Sequence, residues 1–389
     1  MISPPNSILL GAPLSPDYAL DSSLKSHKTD FIRAAERLKT LAAHDALTIL
    51  RYALSTPKLL YTLRCCPCSG HPMLEEFDNM FRECLSSIVN CHLSVDQWSQ
   101  ASLPVSMGGL GIRLVTHLAP SAFLASAMGT RELQDSILVN CGSPADRAID
   151  TALAFWFSFH SSPAPEGLDA RIQRNWDNPV LEAIKCRILD STTVASDRAR
   201  LLAVSSPNSS DWLHALPIAS CGLMLDDEAV RVAIGFRLGA KICEPHTCVC
   251  GSQVDVLGTH CPSCKRSSGR ISRHNNINDI IFRALIKAGV PSKKEPVGLC
   301  RSDGKRPDGL TLIPWSSGRC AVWDVTVVDT MANSYIHLTS STIAGAAELA
   351  DSRKMSKYLN LTSSYEVIPV ALETMGPMNF TGAEFIRDL

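Results

Sequence analysis

No apolar run in the sequence approaches the roughly 18 residues that a membrane-spanning helix needs, so no spanning segment is expected. Neither sign of charge is in surplus: 37 Lys and Arg face 38 Asp and Glu, a formal net charge of -1. With 45% hydrophobic residues this composition excludes a wholly disordered chain. No internal repeat is found, and the opening Met1-Ile2-Ser3-Pro4-Pro5-Asn6 lacks the charged-then-apolar order of a secretory leader. An intracellular protein is therefore expected. Fifteen cysteines are an odd number and cannot all pair within one molecule, and 389 residues are far more than a disulfide scaffold has. Free thiols with one metal site fit better. At roughly 100 to 200 residues per domain the length implies two or three domains.

The balanced total hides an uneven distribution. Between Arg231 and Arg306 stand 14 Lys or Arg and 5 Asp or Glu, an excess of nine positive charges that leaves the remainder at -10. A basic block beside an acidic body suits a protein that holds a polyanion on one face, although a solvated basic surface has the same composition.

After a Pro- and Ser-rich leader through Asp17, apolar residues recur at three- and four-residue spacing from Lys28 to Tyr61, with a break and restart at Thr56-Pro57, and again from Met73 to Val89. Gly108-Gly109-Leu110-Gly111 matches neither the dinucleotide nor the Walker spacing and predicts a tight turn. Ser162-Pro163-Ala164-Pro165 and Ser205-Ser206-Pro207-Asn208-Ser209-Ser210 read as linkers. Cys65, Cys66, Cys68 and His71 crowd together but lack the distant second ligand pair of a structural metal site.

Cys248, Cys250, His260 and Cys264 form Cys-x-Cys-x9-His-x3-Cys, two close pairs of soft or borderline ligands such as a tetrahedral Zn²⁺ takes. The first pair is tighter than usual, and Cys243, His246, Cys261 or His274 could substitute. Further on, a strand is expected over residues 305–313, a turn over 314–318 and a strand over 319–328. Asp308 lies eight residues before Ser316 and Asp324 eight after it, so a hairpin symmetric about Ser316 puts the two carboxylates opposite each other, about 5 Å apart. Like charges so close require a proton or a cation between them, and Mg²⁺ is the natural candidate, with room left for water and a phosphate. A one-residue slip would put them on opposite faces. A helical pattern from Thr342 to Tyr358 places Lys354 and Tyr358 on one face and Lys357 away from it, and a last strand runs from Tyr365 to Val370.

Arg306-Pro307-Asp308, Asp324-x-Thr326 and Lys354-Met355-Ser356-Lys357-Tyr358 together resemble the PD-(D/E)xK restriction-like nuclease fold, in the variant carried at the C-terminus of non-long-terminal-repeat retrotransposon reading frames. In that variant a helix lysine shortly before a tyrosine replaces the strand lysine, and Thr326 sits at the vacated position. A Cys-Cys-His-Cys zinc knuckle precedes the nuclease there, matching Cys248, Cys250, His260 and Cys264 in order. Arg273-His274-Asn275 and Glu295-Pro296 resemble further family positions, as do Leu103-Pro104, Gly108 to Arg113 and Ala119 to Phe123 upstream. No Tyr/Phe-x-Asp-Asp quartet occurs, so the polymerase palm is not expected in this chain.

The resemblance implies an α+β protein with four parts: a mainly helical post-palm or thumb-like segment over 1–120, a helical linker region over 121–239, a zinc knuckle over 240–275 and an α/β restriction-endonuclease-like domain over 276–389. It implies Mg²⁺ at Asp308 and Asp324 with Glu295 as a third acid, Lys354 or Lys357 at the attacking water, Tyr358 orienting the lysine, and structural Zn²⁺ in the knuckle. Lys265, Arg266, Arg270, Arg273, Lys305 and Arg306 would grip phosphates. DNA is the expected substrate, nicked in the nucleus, with element RNA as a further ligand and a polymerase-bearing partner or a second copy alongside. A non-catalytic nucleic-acid-binding remnant and a helical scaffold are the rival expectations.

Overall fold

The computed structural model describes residues 8–13, 18–137, 147–300 and 304–389. Most of the expected leader, and Arg301 and Asp303 of the basic block, lie outside the described residues. The architecture is mixed, 57% helix and 9% strand. In chain order the helices are α1 (Tyr18–Leu38), α2 (Ala43–Ile49), α3 (Thr56–Cys65), α4 (Pro72–Ile88), α5 (Val95–Ser102), α6 (Val115–Ile137), α7 (Arg147–Phe157), α8 (Gln173–Ser191), α9 (Ala195–Val204), α10 (Asp227–Leu238), α11 (Gly269–Lys287), α12 (Ile336–Thr339), α13 (Gly345–Lys357) and α14 (Phe380–Asp388). The strands are β1 (Ile8–Leu9), β2 (Ala12–Pro13), β3 (His246–Thr247), β4 (Gln253–Val254), β5 (Ser292–Lys294), β6 (Gly309–Thr311), β7 (Ala321–Val328) and β8 (Glu366–Glu373). No helix among the described residues is long and apolar enough to cross a membrane.

Two compact units divide the chain: Met1–Ser191 with Leu213–Ala240, and Thr192–Trp212 with Lys241–Leu389. The borders expected at 120/121 and 275/276 both fall inside these units, whereas that at 239/240 lies one residue from the division after Ala240.

The first unit is helical. The expected pattern from Lys28 to Tyr61 is split by a break after Leu38 and by a π-helical turn over Leu50–Leu54, and Pro57 opens α3, where its missing N–H costs no hydrogen bond. Phe31 and Phe81 meet edge to face at 4.8 Å, joining α1 to α4. His71 caps α4 by accepting from the Met73 N–H and bonds Asp21 at 2.8 Å, which commits both ring nitrogens and removes it from the cysteines at 65, 66 and 68. The glycine cluster is a turn: Gly108 and Gly111 take φ of +90° and +77°, and a Cβ on Gly109 would lie 2.0 Å from the Leu103 carbonyl oxygen. Asp78 receives the Val115 and Thr116 N–H groups and the Thr116 hydroxyl, closing the N-terminus of α6, and burial pushes its carboxyl up to about 6.

The second unit is built on a four-stranded sheet in the order β5-β6-β7-β8, antiparallel except for the parallel β7–β8 pair, which α13 connects. Alternation along β7 sends Trp323 and Val325 to one face, where Ile281 and Leu285 of α11 and Phe385 of α14 cover them. The other face receives α13, whose Ala347 and Ala350 pack on Ala371. Gly309 is required beneath the fully buried Trp323 ring, since a Cβ there would approach it to 1.9 Å. The expected linker at 205–210 is instead a packed turn, with Ser206, Ser209 and Ser210 buried and the Ser206 and Ser209 hydroxyls bonded to each other. The β6–β7 turn also differs from expectation. The ladder pairs Leu310 with Val322, but the bridge nearest the turn pairs Ser316 with Arg319, so extra residues on the incoming side shift the bend toward Arg319.

Candidate functional site

The β3–β4 hairpin presents the first two cysteines. The Cys248 N–H donates to the Ser252 carbonyl at 2.9 Å and the Gly251 N–H to the Cys248 carbonyl at 2.8 Å, with Gly251 at φ +90° making the bend possible. This turn is why a one-residue gap suffices for the first pair. A 3-10 turn over Cys261–Ser263 brings His260 and Cys264 to the same point, and Asp255 holds Thr259, the residue before His260, through its N–H and hydroxyl. The Cys248 and Cys264 sulfurs stand 3.6 Å apart, the Cys250 sulfur lies 3.1 Å from His260 Nε2, and all four ligand atoms fall within 4.8 Å of one another. Edges of about 3.4 to 3.8 Å follow from zinc bond lengths near 2.3 Å to sulfur and 2.0 Å to nitrogen, so these residues can hold a metal and fit zinc. Hydrogen bonds from the Ser252 hydroxyl and backbone lower the Cys250 thiol to about 6, favouring the thiolate a metal takes. The substitutes have other work: Cys243 bonds the Asp255 carbonyl, His246 the Glu244 carbonyl, and His274 turns to Asp308, while Cys261 is exposed.

The register of β6 and β7, with Gly309 opposite Trp323, brings Asp308 close enough for its charge to act on Asp324. Asp308 stands just before β6, its N–H bonded to the Trp323 carbonyl at 3.1 Å. Its Oδ2 accepts the Val325 N–H at 2.6 Å and His274 Nε2 at 3.0 Å. Asp324 is 4% exposed, and its Oδ2 contacts the Lys354 ammonium, with that of Lys357 at 3.9 Å. Burial pushes the Asp324 carboxyl above the usual carboxylate range and the charge of Asp308 adds to this, against the two lysines. The hydrogen bond that His274 donates to Asp308 raises the imidazole, against burial and Lys354.

Three expectations change. Lys354 and Lys357 supply positive charge beside the two adjacent carboxylates, so charge balance does not by itself demand a divalent ion here. Glu295 reaches Asp308 through its backbone, its N–H bonded to the Asp308 carbonyl at 2.9 Å, while its carboxylate pairs with Arg306. Among the described residues the knuckle holds the one group of three or more His, Cys, Asp and Glu gathered closely enough for an ion, so no third acid joins Asp308 and Asp324. Finally, α13 ends at Lys357, which frees Tyr358 from helical spacing: the Lys357 ammonium donates to the buried Tyr358 hydroxyl at 2.6 Å, and both lysines point to Asp324.

The basic residues divide by task. Lys265, Arg270 and Arg273 line a cleft in this unit. Arg266 donates to the Val249 carbonyl at 2.9 Å and Arg273 to the Pro262 carbonyl at 2.5 Å, so both also brace the knuckle. Arg306 is committed to Glu295, and Lys305 is exposed. The part of His274 at Asp308 was not legible from spacing. Besides the resemblance of Arg273-His274-Asn275 to family positions, its signal is the four-residue step from His274 to Asn278 on one face of α11, where Asn278 accepts from the Trp323 indole at 2.8 Å. No protein-family model matches the chain, and no curated protein matches it either.

Proposed function

We propose that the second unit is a zinc-stabilised, metal-dependent DNA endonuclease of restriction-like architecture, from a retrotransposon-type protein whose polymerase is not in this chain. What carries the proposal is the meeting of Asp308, Asp324, Lys354 and Lys357 beside β7, reached from a hairpin and a helix far apart in sequence. Two carboxylates fit Mg²⁺, which keeps several waters and takes the rest of its shell from a substrate phosphate. Bound there, the ion would polarise the phosphodiester and acidify a water.

The protein's own groups do the rest. His274 and the Val325 N–H fix Asp308 through its Oδ2. Lys354 neutralises Asp324, and with a cation held by the two aspartates its ammonium would stabilise charge developing on the phosphate. Lys357 and Tyr358 form a hydrogen-bonded pair that keeps a second ammonium beside the carboxylate. The knuckle and the basic residues around it bind phosphates without regard to sequence. Action on chromosomal DNA places the protein in the nucleus, with a polymerase-bearing partner or a second copy completing the work on the element's RNA and the other strand.

A second reading, a non-catalytic nucleic-acid-binding remnant, is favoured by the Lys354–Asp324 contact, because an acid already neutralised by lysine needs no metal. Purified protein with supercoiled plasmid and Mg²⁺, beside an EDTA control, separates the two. Conversion to open circle that EDTA prevents supports the nuclease. Salt-sensitive plasmid binding with no nicking supports the remnant.

A further inference from the structure

A cleft of about 730 Å³ opens between the knuckle, the start of α11 and the end of β7. Pockets that hold small ligands span roughly 300 to 1,000 Å³. Its lining combines three kinds of group. Lys265, Arg270 and Arg273 bring positive charge, and Arg273 Nε is buried with no acceptor. Ile271, 70% exposed, and the Tyr335 ring bring flat or apolar surface; Tyr335 is held by its hydroxyl, which accepts from Arg353 at 2.9 Å. Asp329, 7% exposed, brings an acid: its Oδ1 takes the Thr374 hydroxyl at 2.9 Å and the Met331 N–H at 3.2 Å, while its Oδ2 has no donor.

An unpaired donor and an unpaired acceptor in one basic cleft suit a ligand that offers both. A phosphate alone satisfies the arginine and is repelled by the aspartate. A nucleotide has an anionic end for the cations and, on adenine, cytosine or guanine, an exocyclic amino group for the carboxylate. In a duplex the ring faces are covered by stacking, so only an unstacked, unpaired base can lay its ring on Ile271 and Tyr335 while its amino group meets the carboxylate.

We propose that the cleft is a site for one unpaired nucleotide of a single strand, its phosphate on Lys265, Arg270 and Arg273, its ring against Ile271 and Tyr335, and its amino group on Asp329. Such a site would favour junctions and frayed DNA over intact duplex. It rests on the nucleic-acid reading above, though not on cleavage.

Oligo-dC and oligo-dT of about twelve nucleotides test it, because the two pyrimidines differ where cytosine carries an amino donor and thymine a carbonyl. Fluorescence anisotropy with the zinc-loaded full chain, without Mg²⁺, is expected to give oligo-dC about tenfold tighter than oligo-dT. Asp329→Asn retains the Oδ1 acceptor for Thr374 and Met331 and should erase that ratio, whereas Arg270→Ala should weaken both strands alike. Equal affinity of the parent for both strands, or a ratio unchanged in Asp329→Asn, would overturn the proposal. Plasmid nicking by the same preparations keeps the two ideas apart: nicking without base preference removes only this site, and base preference without nicking removes only the nuclease.

Discussion

Removing the Lys354 ammonium isolates the central feature of the site, a carboxylate buried to 4% exposure that depends on a neighbouring cation. Breaking a buried ion pair on one side costs about 3 to 5 kcal/mol, because the surviving charge stays desolvated. Here the Lys354 side chain is 22% exposed and Lys357 remains 3.9 Å from the same oxygen, so the loss in Lys354→Met should be smaller, about 2 kcal/mol. For a unit of this size that lowers the melting temperature by roughly 4 to 8 °C. Asp324→Asn removes the charge itself and should cost only about 1 kcal/mol, and the double variant should fall no further than the costlier single one. Thermal unfolding followed by circular dichroism on zinc-loaded protein measures all three. Mg²⁺ adds a second readout: it should raise the melting temperature of Lys354→Met more than that of the parent, since the ion then has no ammonium to displace. Losses that simply add in the double variant, or a Lys354→Met variant as stable as the parent, would refute the coupling.

Other consequences are as specific. Elemental analysis should find about one zinc per chain, reduced sharply in Cys264→Ser, and a chelator should unfold the knuckle; metal-free protein with the knuckle intact would contradict this. Asp78 has a folded value of about 6 against about 3.9 unfolded, so its ionised form costs stability at neutral pH, and the cost is relieved as pH falls through that window. Relative to Asp78→Asn, the parent should therefore gain up to about 2 to 3 kcal/mol between pH 7 and pH 4 in denaturant titrations, and parallel curves would count against it. Gly309→Ala places a methyl against the Trp323 ring, at an expected cost of about 1 to 3 kcal/mol or more, whereas a neutral result would mean that ring is free to move.

Much of this site was written in local spacing. Equal separations on either side of Ser316 do set the ladder that pairs Gly309 with Trp323, even though the bend itself slides toward Arg319, because register follows the buried alternation of β7 and tolerates extra residues in the turn. Cys248, Cys250, His260 and Cys264 come together as their order suggested, since each pair needs only a short turn. What spacing hid was long-range. The helix carrying Lys354 and Lys357 stops one residue sooner than its pattern, which turned a face argument about Tyr358 into a direct hydrogen bond. His274 reaches Asp308 across 34 residues, and Glu295 spends its carboxylate on Arg306, neither of which periodicity can register. Serines 205 to 210 have linker composition yet are buried, a case of packing overriding a local signal.

The most direct test is the rate at which supercoiled plasmid becomes open circle with Mg²⁺, compared between the parent, Asp308→Ala and Asp324→Ala. Loss of one of two carboxylate ligands should slow nicking by about a thousandfold in either variant, while the salt-sensitive affinity for plasmid stays within a few fold of the parent. Nicking at the parent's rate in both variants would contradict a metal-dependent centre on this hairpin.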